Sequence, residues 1–419
     1  MAIAPTPPPK SKVAESNVVV PGGFELKFHW RILGSHAPVF PGFEIDICDK
    51  VAEEDKPDAI WHRERARSML RDHPEIRDLF GRSRWTAVWC LGIAISHVTI
   101  GFLVGGMSWW VALAVAYVVG TMLNIAMFNL AHECNHGLVF KQKKWNRRLF
   151  TLTSLPMMLS AHHTWWIEHH VHHNEMGAKQ DFVKRRRSIL LYMKDRIFGK
   201  PVEGPIRNWF GWITTPLFWP VSVLVMCLQF VRSAIGLLVY LVTDLPMGKI
   251  KPSDQTMAIL ADEHLVSGYK KYGIETWAVT YPLFSLIFYV AFVMTAGWTA
   301  LFYLVASAVF MTGFLHPLSF GLMLSNSHFY GFQEHQPTSS YYGYLNWLTF
   351  NFGLHTEHHD LASIPWYRLG KLRQIAPEYY DPLRKTTSFA AIAFKFAFGS
   401  REQFNNEEYL NASEIKNVA

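Results

Sequence analysis

Residues 109–136 read WWVALAVAYVVGTMLNIAMFNLAHECNH, an apolar run that ends in two histidines four residues apart. A helix that crosses a bilayer needs about 20 mostly apolar residues. Because residues i and i+4 lie on one face of a helix, His132 and His136 can aim their imidazoles at a common point. The run therefore predicts a membrane-spanning helix with a pair of metal-binding side chains at its end.

Further histidine clusters lie beside other apolar runs. They read His169-His-Val-His172-His173, a lone His328, and His355-Thr-Glu-His358-His359. Neutral imidazole is a ligand for iron, copper, nickel and zinc, and spacings of three and four residues bring each cluster onto one helical face. Nine imidazoles are too many for one metal ion and about right for two. The predicted ligands are His132, His136, His169, His172, His173, His328, His355, His358 and His359.

A histidine-rich stretch that binds metal casually is the plain alternative, because a single HxxxH match often arises by chance. Two HxxHH motifs and one HxxxH motif, each beside an apolar run, argue against coincidence. We therefore interpret the chain as a membrane enzyme with a two-metal, all-histidine centre.

Composition supports a membrane protein. Half of the 419 residues are hydrophobic and 16 are tryptophan. The net charge of +7 does not indicate nucleic-acid binding, because basic residues concentrate at 141–148 and 184–187, beside membrane segments, as the positive-inside rule predicts for cytoplasmic flanks. Four cysteines without paired spacing predict a reducing compartment rather than a disulfide framework.

Four segments are apolar and long enough to span a bilayer: about 85–104, 109–130, 277–296 and 299–322. Only Gly105–Ser108 separates the first two segments, and only Gly297 and Trp298 separate the last two. Each pair is therefore predicted to form a hairpin whose short tip lies on the non-cytoplasmic side. All histidine clusters then fall on the cytoplasmic side. Trp209–Val242 is ambiguous because Pro216, Pro220 and Arg232 interrupt it, and we expect it to lie along the interface or cross twice. If this stretch crossed the membrane once, the first two histidine clusters and the third would lie on opposite faces and could not share a metal site.

The predicted fold is an all-α integral membrane protein with four transmembrane helices in two hairpins, a cytoplasmic histidine-rich cap and interfacial helices. We expect a disordered tail at 1–22, an N-terminal cytoplasmic segment at 23–84, a catalytic domain at 85–385 with an insertion at 183–276, and a C-terminal tail at 386–419. Within the second segment, Trp61–Phe80 reads as a basic amphipathic surface helix.

The remaining histidines have other interpretations. His29, His36, His62, His73 and His264 stand alone in polar surroundings and are predicted to be surface residues. His97, inside the first span, is expected to hydrogen-bond to a neighbouring helix. His162, His163, His316 and His335 are candidates for lining or supporting the site, and His170 is excluded because it points off the shared helical face.

Carboxylates within or next to the clusters can accept the second N–H of metal-bound imidazoles. Those in suitable positions are Glu133, Glu168, Glu357 and Asp360. Direct metal ligation by a carboxylate remains an alternative. Cys134, inside the first cluster, is expected to pack rather than to bind metal.

The three histidine motifs resemble those of the membrane fatty acid desaturase and hydroxylase superfamily. The resemblance narrows at 341–365 (YYGYLNWLTFNFGLHTEHHDLASIP) and 372–383 (LRQIAPEYYDPL), which are similar to sphingolipid Δ4-desaturases, the dihydroceramide desaturases. His73–Leu79 (HPEIRDL) and Leu315–Pro317 also resemble that family. The similarity covers roughly residues 60–182 and 277–385.

The resemblance implies two iron ions, with O2 as co-substrate. It implies electrons from NADH through a separate cytochrome b5 and its reductase, and a dihydroceramide-like lipid that gains a trans double bond between C4 and C5. It also implies an endoplasmic reticulum membrane with the site facing the cytosol, and no nucleic-acid partner. The basic residues at 141–148 and 184–187 are candidates for docking the acidic electron donor, besides their role in topology.

Competing interpretations remain at this stage. The same centre in a sphingolipid C4-hydroxylase, or in another lipid or carotenoid hydroxylase or ketolase, would insert oxygen instead. A histidine-rich metal transporter or receptor predicts polar residues at mid-membrane depth and an internal repeat, neither of which the spans show. A structural protein with closed zinc sites is a third alternative, because histidine serves zinc as well as iron.

Overall fold

The computed structural model describes residues 57–157, 169–170, 172–174, 176, 231, 234–249, 253, 256, 281–312, 316–319, 323, 327–328 and 336–390. This part of the chain is mostly helical. The predicted tail at 1–22, residues 391–419 of the tail predicted at 386–419, and most of the insertion lie outside the described residues. Also outside are His29, His36, His162, His163, His264, His335, Glu168 and the basic run 184–187. The predicted start of the C-terminal tail was wrong, because Thr386 belongs to a strand and Phe389 is buried in the core.

The first helix, α1, spans Pro57–Asp72, and a 3-10 turn follows at Pro74–Leu79. The prediction of one surface helix through Phe80 was wrong in two respects. Pro74 disfavours helical backbone at His73, so the helix ends there. The helix is also not confined to the surface, because Met69 is fully buried against the C-terminal part of the chain.

Two helices are long and apolar enough to cross a membrane. Helix α2 spans Trp85–Gly105, and Trp109–Asn135 is a continuous helix of 27 residues. The latter consists of α3 (Trp109–Val115), a π turn (Ala116–Gly120) and α4 (Thr121–Asn135). Large apolar side chains such as Ile95, Leu103 and Val118 point outward and are about two-thirds exposed, at 64–65%. An outward apolar surface on helices of this length is what a lipid environment requires.

Other helices complete the bundle. Helix α5 is Lys143–Ser154, α6 is Ala234–Asp244, α7 is Tyr281–Ala296 and α8 is Trp298–Thr312. With 16 and 15 described residues, α7 and α8 are shorter than a full crossing, so the structure supports two candidate spans where the sequence predicted four. Residues 209–230 of the ambiguous apolar stretch lie outside the described residues.

Helices α2, α3, α7 and α8 pack closely around small side chains. A Cβ atom on Gly105 would lie 2.1 Å from the carbonyl oxygen of Ala296, and one on Gly120 would lie 2.0 Å from the hydroxyl of Ser307. Glycine therefore permits the helix approach at both positions. His97 of α2 contacts the hydroxyl of Tyr303 (2.7 Å) and the amide oxygen of Asn124 (2.9 Å), so its predicted hydrogen bonding to a neighbouring helix is confirmed.

The C-terminal part of the chain forms a cap that packs on α1. Helices α9 (His355–Asp360), α10 (Leu369–Ile375) and α11 (Pro377–Tyr380) follow one another, and a short parallel pair joins β1 (Ser340–Tyr341) to β2 (Lys385–Thr386). Buried apolar residues, including Ile76, Leu372 and Tyr380, connect α1, its following turn and this cap. The cap therefore attaches the third histidine cluster to the N-terminal end of the described chain.

Candidate metal centre

The first histidine cluster closes α4. Asn135 is the last residue of that helix, and Gly137 adopts the left-handed backbone conformation (φ +70°). The amides of Gly137 and Leu138 then bond to the carbonyls of Cys134 and Glu133 at 3.1 and 3.0 Å, which ends the helix. The imidazoles of His132 and His136 therefore sit at the end of a candidate membrane span, with their Nε2 atoms 3.1 Å apart.

The third cluster occupies the six-residue helix α9. Before it, Phe350 and Asn351 both have positive φ, at 51° and 60°, and turn the chain sharply into this helix. All six residues of α9 are buried. Because a helix this short is unstable alone, its geometry depends on the surrounding contacts.

The structure brings all nine predicted histidines together in two adjacent groups. In the first histidine group, the candidate ligand atoms lie within 4.8 Å of one another. In the second group, the candidate ligand atoms of His172, His328 and His359 also lie within 4.8 Å of one another. His355 is assigned to this group because its Nε2 lies 2.7 Å from that of His328 and 3.1 Å from that of His359. The first group contains His132, His136, His169, His173 and His358, and the second contains His172, His328, His355 and His359.

Each HxxHH cluster divides between the two groups. The i,i+4 pair of the second cluster, His169 and His173, joins the first group, whereas His172 joins the second. The i,i+4 pair of the third cluster, His355 and His359, joins the second group, whereas His358 joins the first. The expectation that each cluster aims at a single point was therefore too simple. Each of the two HxxHH clusters places histidines in both groups, whereas His132 and His136 of the first cluster both belong to the first group.

The spacing of the nitrogen atoms fits metal ions. Three Nε2 atoms, those of His132, His136 and His169, lie 2.7–3.1 Å from one another. Hydrogen bonds cannot satisfy such a triangle, because each neutral ring has one donor and one acceptor nitrogen. Two nitrogen ligands about 2.1 Å from one ion lie about 3 Å apart. The donor set therefore matches a shared cation.

Burial keeps these rings neutral, as metal ligands must be. Burial lowers the pKa of His355 to about 3, and it also holds the pKa values of His358 and His359 well below the ordinary value. In the same way, burial depresses the pKa values of His169, His173 and His328. Each of these six rings consequently has a free lone pair at neutral pH.

The carboxylates of the third cluster have partners that anchor α9. Glu357 is fully buried and accepts hydrogen bonds from Ser340 (2.6 Å) and the Tyr342 hydroxyl (2.5 Å). Asp360 bonds to Nδ1 of His62 (2.6 Å) and to Arg65 (3.1 Å). Burial alone would raise the pKa of Asp360, but the nearby Arg65 guanidinium and His62 ring outweigh burial and hold that pKa below its ordinary value.

In the first cluster, Glu133 accepts a hydrogen bond from the backbone amide of Trp366 (3.1 Å) and thereby links α4 to the C-terminal cap. Among the described carboxylates, Glu133 and Glu357 bond to other groups, and Asp360 bonds to His62, which lies outside the clusters. The contacts predicted between these carboxylates and metal-binding imidazoles were therefore wrong. Cys134 is buried in the apolar core, in accord with its predicted packing role.

His62 is the residue that sequence reasoning misplaced. It was predicted to lie at the surface, but it is 4% exposed and its ring centroid lies 5.2 Å from that of His359. Its partner Asp360 is 298 positions away in the chain. Local sequence carries no signal for such a contact, because His62 stands in a charged run (WHRERAR) typical of a surface.

The other described histidines lie outside these two groups. His73 contacts Glu378 near the surface, and His170 is half-buried. His316 is buried, and its Nδ1 accepts a hydrogen bond from the amide of Leu318 (3.1 Å).

Comparison with known proteins agrees with this geometry. Residues 108–388, two-thirds of the chain, match the family model described as fatty acid desaturase. The chain belongs to the fatty acid desaturase family. This desaturase is accordingly an oxidoreductase, and its apolar helices and buried histidines are consistent with a membrane protein that binds iron.

Individual relatives cover most of the desaturase. A protein of Xenopus tropicalis named sphingolipid delta(4)-desaturase is 28% identical over 80% of this chain and 87% of its own length. A DES1-like sphingolipid delta(4)-desaturase of Arabidopsis thaliana is 27% identical over 80% and 84%. A Rattus norvegicus protein named sphingolipid delta(4)-desaturase/C4-monooxygenase is 29% identical over 80% and 88%.

Proposed function

We propose that this chain is a membrane di-iron desaturase that introduces a trans double bond between C4 and C5 of the sphingoid base of dihydroceramide. The observation that carries the proposal is the pair of buried histidine groups at the end of a candidate membrane span. The substrate class follows from the names of relatives that match four-fifths of the chain.

The first iron would be held by the first histidine group and the second iron by the second group. Iron with O2 supplies the oxidising power that removes hydrogen from an unactivated methylene, which no side-chain acid or base can do. The protein residues bind and orient. Most of the nine imidazoles are buried, which gives the ligands a water-poor environment, and the end of α4 places His132 and His136 beside the apolar surface that a lipid chain would follow.

Four spans in two hairpins, with all the clusters on the cytosolic side of the endoplasmic reticulum membrane, complete the proposal. Electrons would come from NADH through cytochrome b5 and its reductase, which are separate proteins. Helix α5 offers a basic surface for an acidic donor, where Lys144 and Arg148 flank the ring of Trp145 at 5.9 and 4.8 Å.

Hydroxylation at C4 is the second candidate. It is favoured by the relative whose name includes C4-monooxygenase activity. Both reactions begin with removal of one hydrogen, so the position of the lipid chain relative to the irons would decide the product.

Lipid mass spectrometry tests the proposal. A yeast strain without sphingolipid desaturation would express this chain and receive dihydroceramide. We expect a product lighter by two hydrogens, which should be absent with His358→Ala. The same product should form with the control His170→Ala, because His170 lies in the second cluster but in neither histidine group. A product heavier by one oxygen would establish hydroxylation. No change in any sphingolipid, with iron bound, would refute the sphingolipid substrate.

A further inference from the structure

We infer that His62 is a positioning residue for the second histidine group, so that helix α1, which precedes every histidine cluster in sequence, supports one of the two metal positions. The inference rests on the proposed di-iron function. It extends that function by assigning a role to a histidine that lies outside all the clusters.

Both ring nitrogens of His62 are engaged. Nδ1 lies 2.6 Å from Oδ1 of Asp360, and Nε2 lies 3.1 Å from the hydroxyl of Thr338. Since a carboxylate can only accept a hydrogen bond, Nδ1 donates to Asp360. Nδ1 is thus committed to Asp360, and Nε2 faces the Thr338 hydroxyl rather than a nitrogen of either histidine group. His62 is therefore a support rather than a tenth ligand.

Asp360 transmits this support to the cluster. It is the last residue of α9 and directly follows His359. Arg65, one turn after His62 on α1, bonds to the same carboxylate at 3.1 Å and to the carbonyl of Tyr379 at 2.7 Å. Two side chains of α1 thus fix the end of a six-residue helix that carries three candidate ligands.

The ring of His62 also lies directly beside the second group. Its centroid is 5.2 Å from that of His359, with the two rings tilted by 34°. It is close enough to interact electrostatically with His172, His328 and His355, the other members of that group. Its removal would leave a gap against His359 and would take from Oδ1 of Asp360 its shortest hydrogen bond, so that only the 3.4 Å contact with Nε of Arg65 remains at that oxygen. Because the His62 ring lies directly beside His359, we expect the larger effect at the second group and a smaller one at the first group, which His62 reaches only through α9.

The test is Fe(II) binding to the purified full-length chain in detergent, with Mössbauer spectra that report the environment of each iron. We expect His62→Ala to weaken binding at one of the two positions by about 10- to 100-fold, the usual effect of losing a residue that orients a ligand. His62→Gln keeps a donor toward Asp360 but lacks the ring, so its loss should be smaller. His73→Ala, a matched histidine just beyond α1, should bind like the wild type.

Equal Fe(II) binding by wild type and His62→Ala at both positions would overturn the inference. Equal weakening at both positions would also overturn it, because that result indicates general destabilisation. If His62→Ala does not fold, His62→Gln decides: selective weakening supports the role, and unchanged binding at both positions contradicts it. A wild-type chain that binds no Fe(II) would instead refute the di-iron function itself, together with any role that depends on it.

Discussion

The helices that carry the first and third histidine clusters are held in place in different ways. Helix α4 is the end of a continuous 27-residue apolar helix, packed against α2, α5 and α8. Helix α9 has six residues, and buried polar contacts with Ser340, Tyr342, His62 and Arg65 hold it. Apolar burial is non-directional, whereas hydrogen bonds fix one orientation.

The two helices therefore differ in how precisely they must be oriented. The first cluster needs only a helix that ends at the right depth, because His132 and His136 follow the helical repeat. The third cluster contributes to both histidine groups, since His358 belongs to one group and His355 and His359 to the other. Precise rotation of α9 therefore matters more than that of a helix serving one position, and the buried carboxylates supply it.

The largest effect should come from His358, the residue by which α9 reaches the first group. We expect His358→Ala to reduce product formation by more than about 100-fold, since loss of a ligand exceeds the usual cost of losing its supporting partner. The purified variant should also lose bound iron. Lipid product and iron content would be measured together, with His170→Ala as the control. Full activity in His358→Ala would exclude the residue as a ligand.

The apolar packing between the long helices is tested by Gly105→Ala, at the point where α2 meets α7. The new methyl group would lie 2.1 Å from the backbone oxygen of Ala296, which cannot move without shifting α7. Overpacking of this kind costs about 1–3 kcal/mol, and we expect the upper end. Thermal unfolding in detergent measures it. Gly92→Ala on the same helix meets nothing within 4 Å and should be neutral or stabilising. Equal behaviour of the two variants would contradict the packing.

The polar support of α9 is tested by Tyr342→Phe. Removal of the hydroxyl leaves one oxygen of the fully buried Glu357 without its partner, at a cost of about 1–2 kcal/mol. Because α9 carries ligands of both groups, iron affinity should fall as well. Tyr344→Phe is the matched control, since Tyr344 is 81% exposed. An unchanged melting temperature and iron affinity in Tyr342→Phe would show that Glu357 does not position the helix.

The smallest effect concerns the exposed pair His73–Glu378, which joins the turn after α1 to α11. The hydrogen bond with Glu378 raises the pKa of His73, and the same bond lowers the pKa of Glu378. The histidine contributes stability below its unfolded pKa of 6.5 and loses it as pH rises through the raised value. The carboxylate contributes above 4.5 and loses that contribution as pH falls through its lowered pKa.

Wild type should therefore exceed His73→Ala in melting temperature most clearly between about pH 4.5 and 6.5, by about 1 °C or less, because exposed pairs are weak. Near pH 9 the difference should disappear. Melting curves of both proteins across this range provide the measurement. A difference that grows with rising pH would contradict the assigned pair.

The sequence predicted only part of the structure around α1 and the cap. A helix was predicted over 61–80, whereas α1 spans Pro57–Asp72, and its end before Pro74 was overlooked although that proline is plain in the sequence. The buried position of His62 had no comparable signal, because its partners Asp360 and Thr338 are hundreds of residues away. The division of each HxxHH cluster between two groups was equally invisible, because spacing describes one helix and not its neighbours.

The sequence by itself determined the apolar helices, the end of α4 at the first cluster, and the nine histidines that the structure brings together, because helical periodicity and hydrophobicity are local properties of the chain. Only the tertiary structure decided how those histidines divide into two groups and which residues hold their helices in place by hydrogen bonds. Those choices depend on contacts such as His358 with His173 and Asp360 with His62, between segments far apart in sequence. Chain packing, rather than any local preference, brings such segments together.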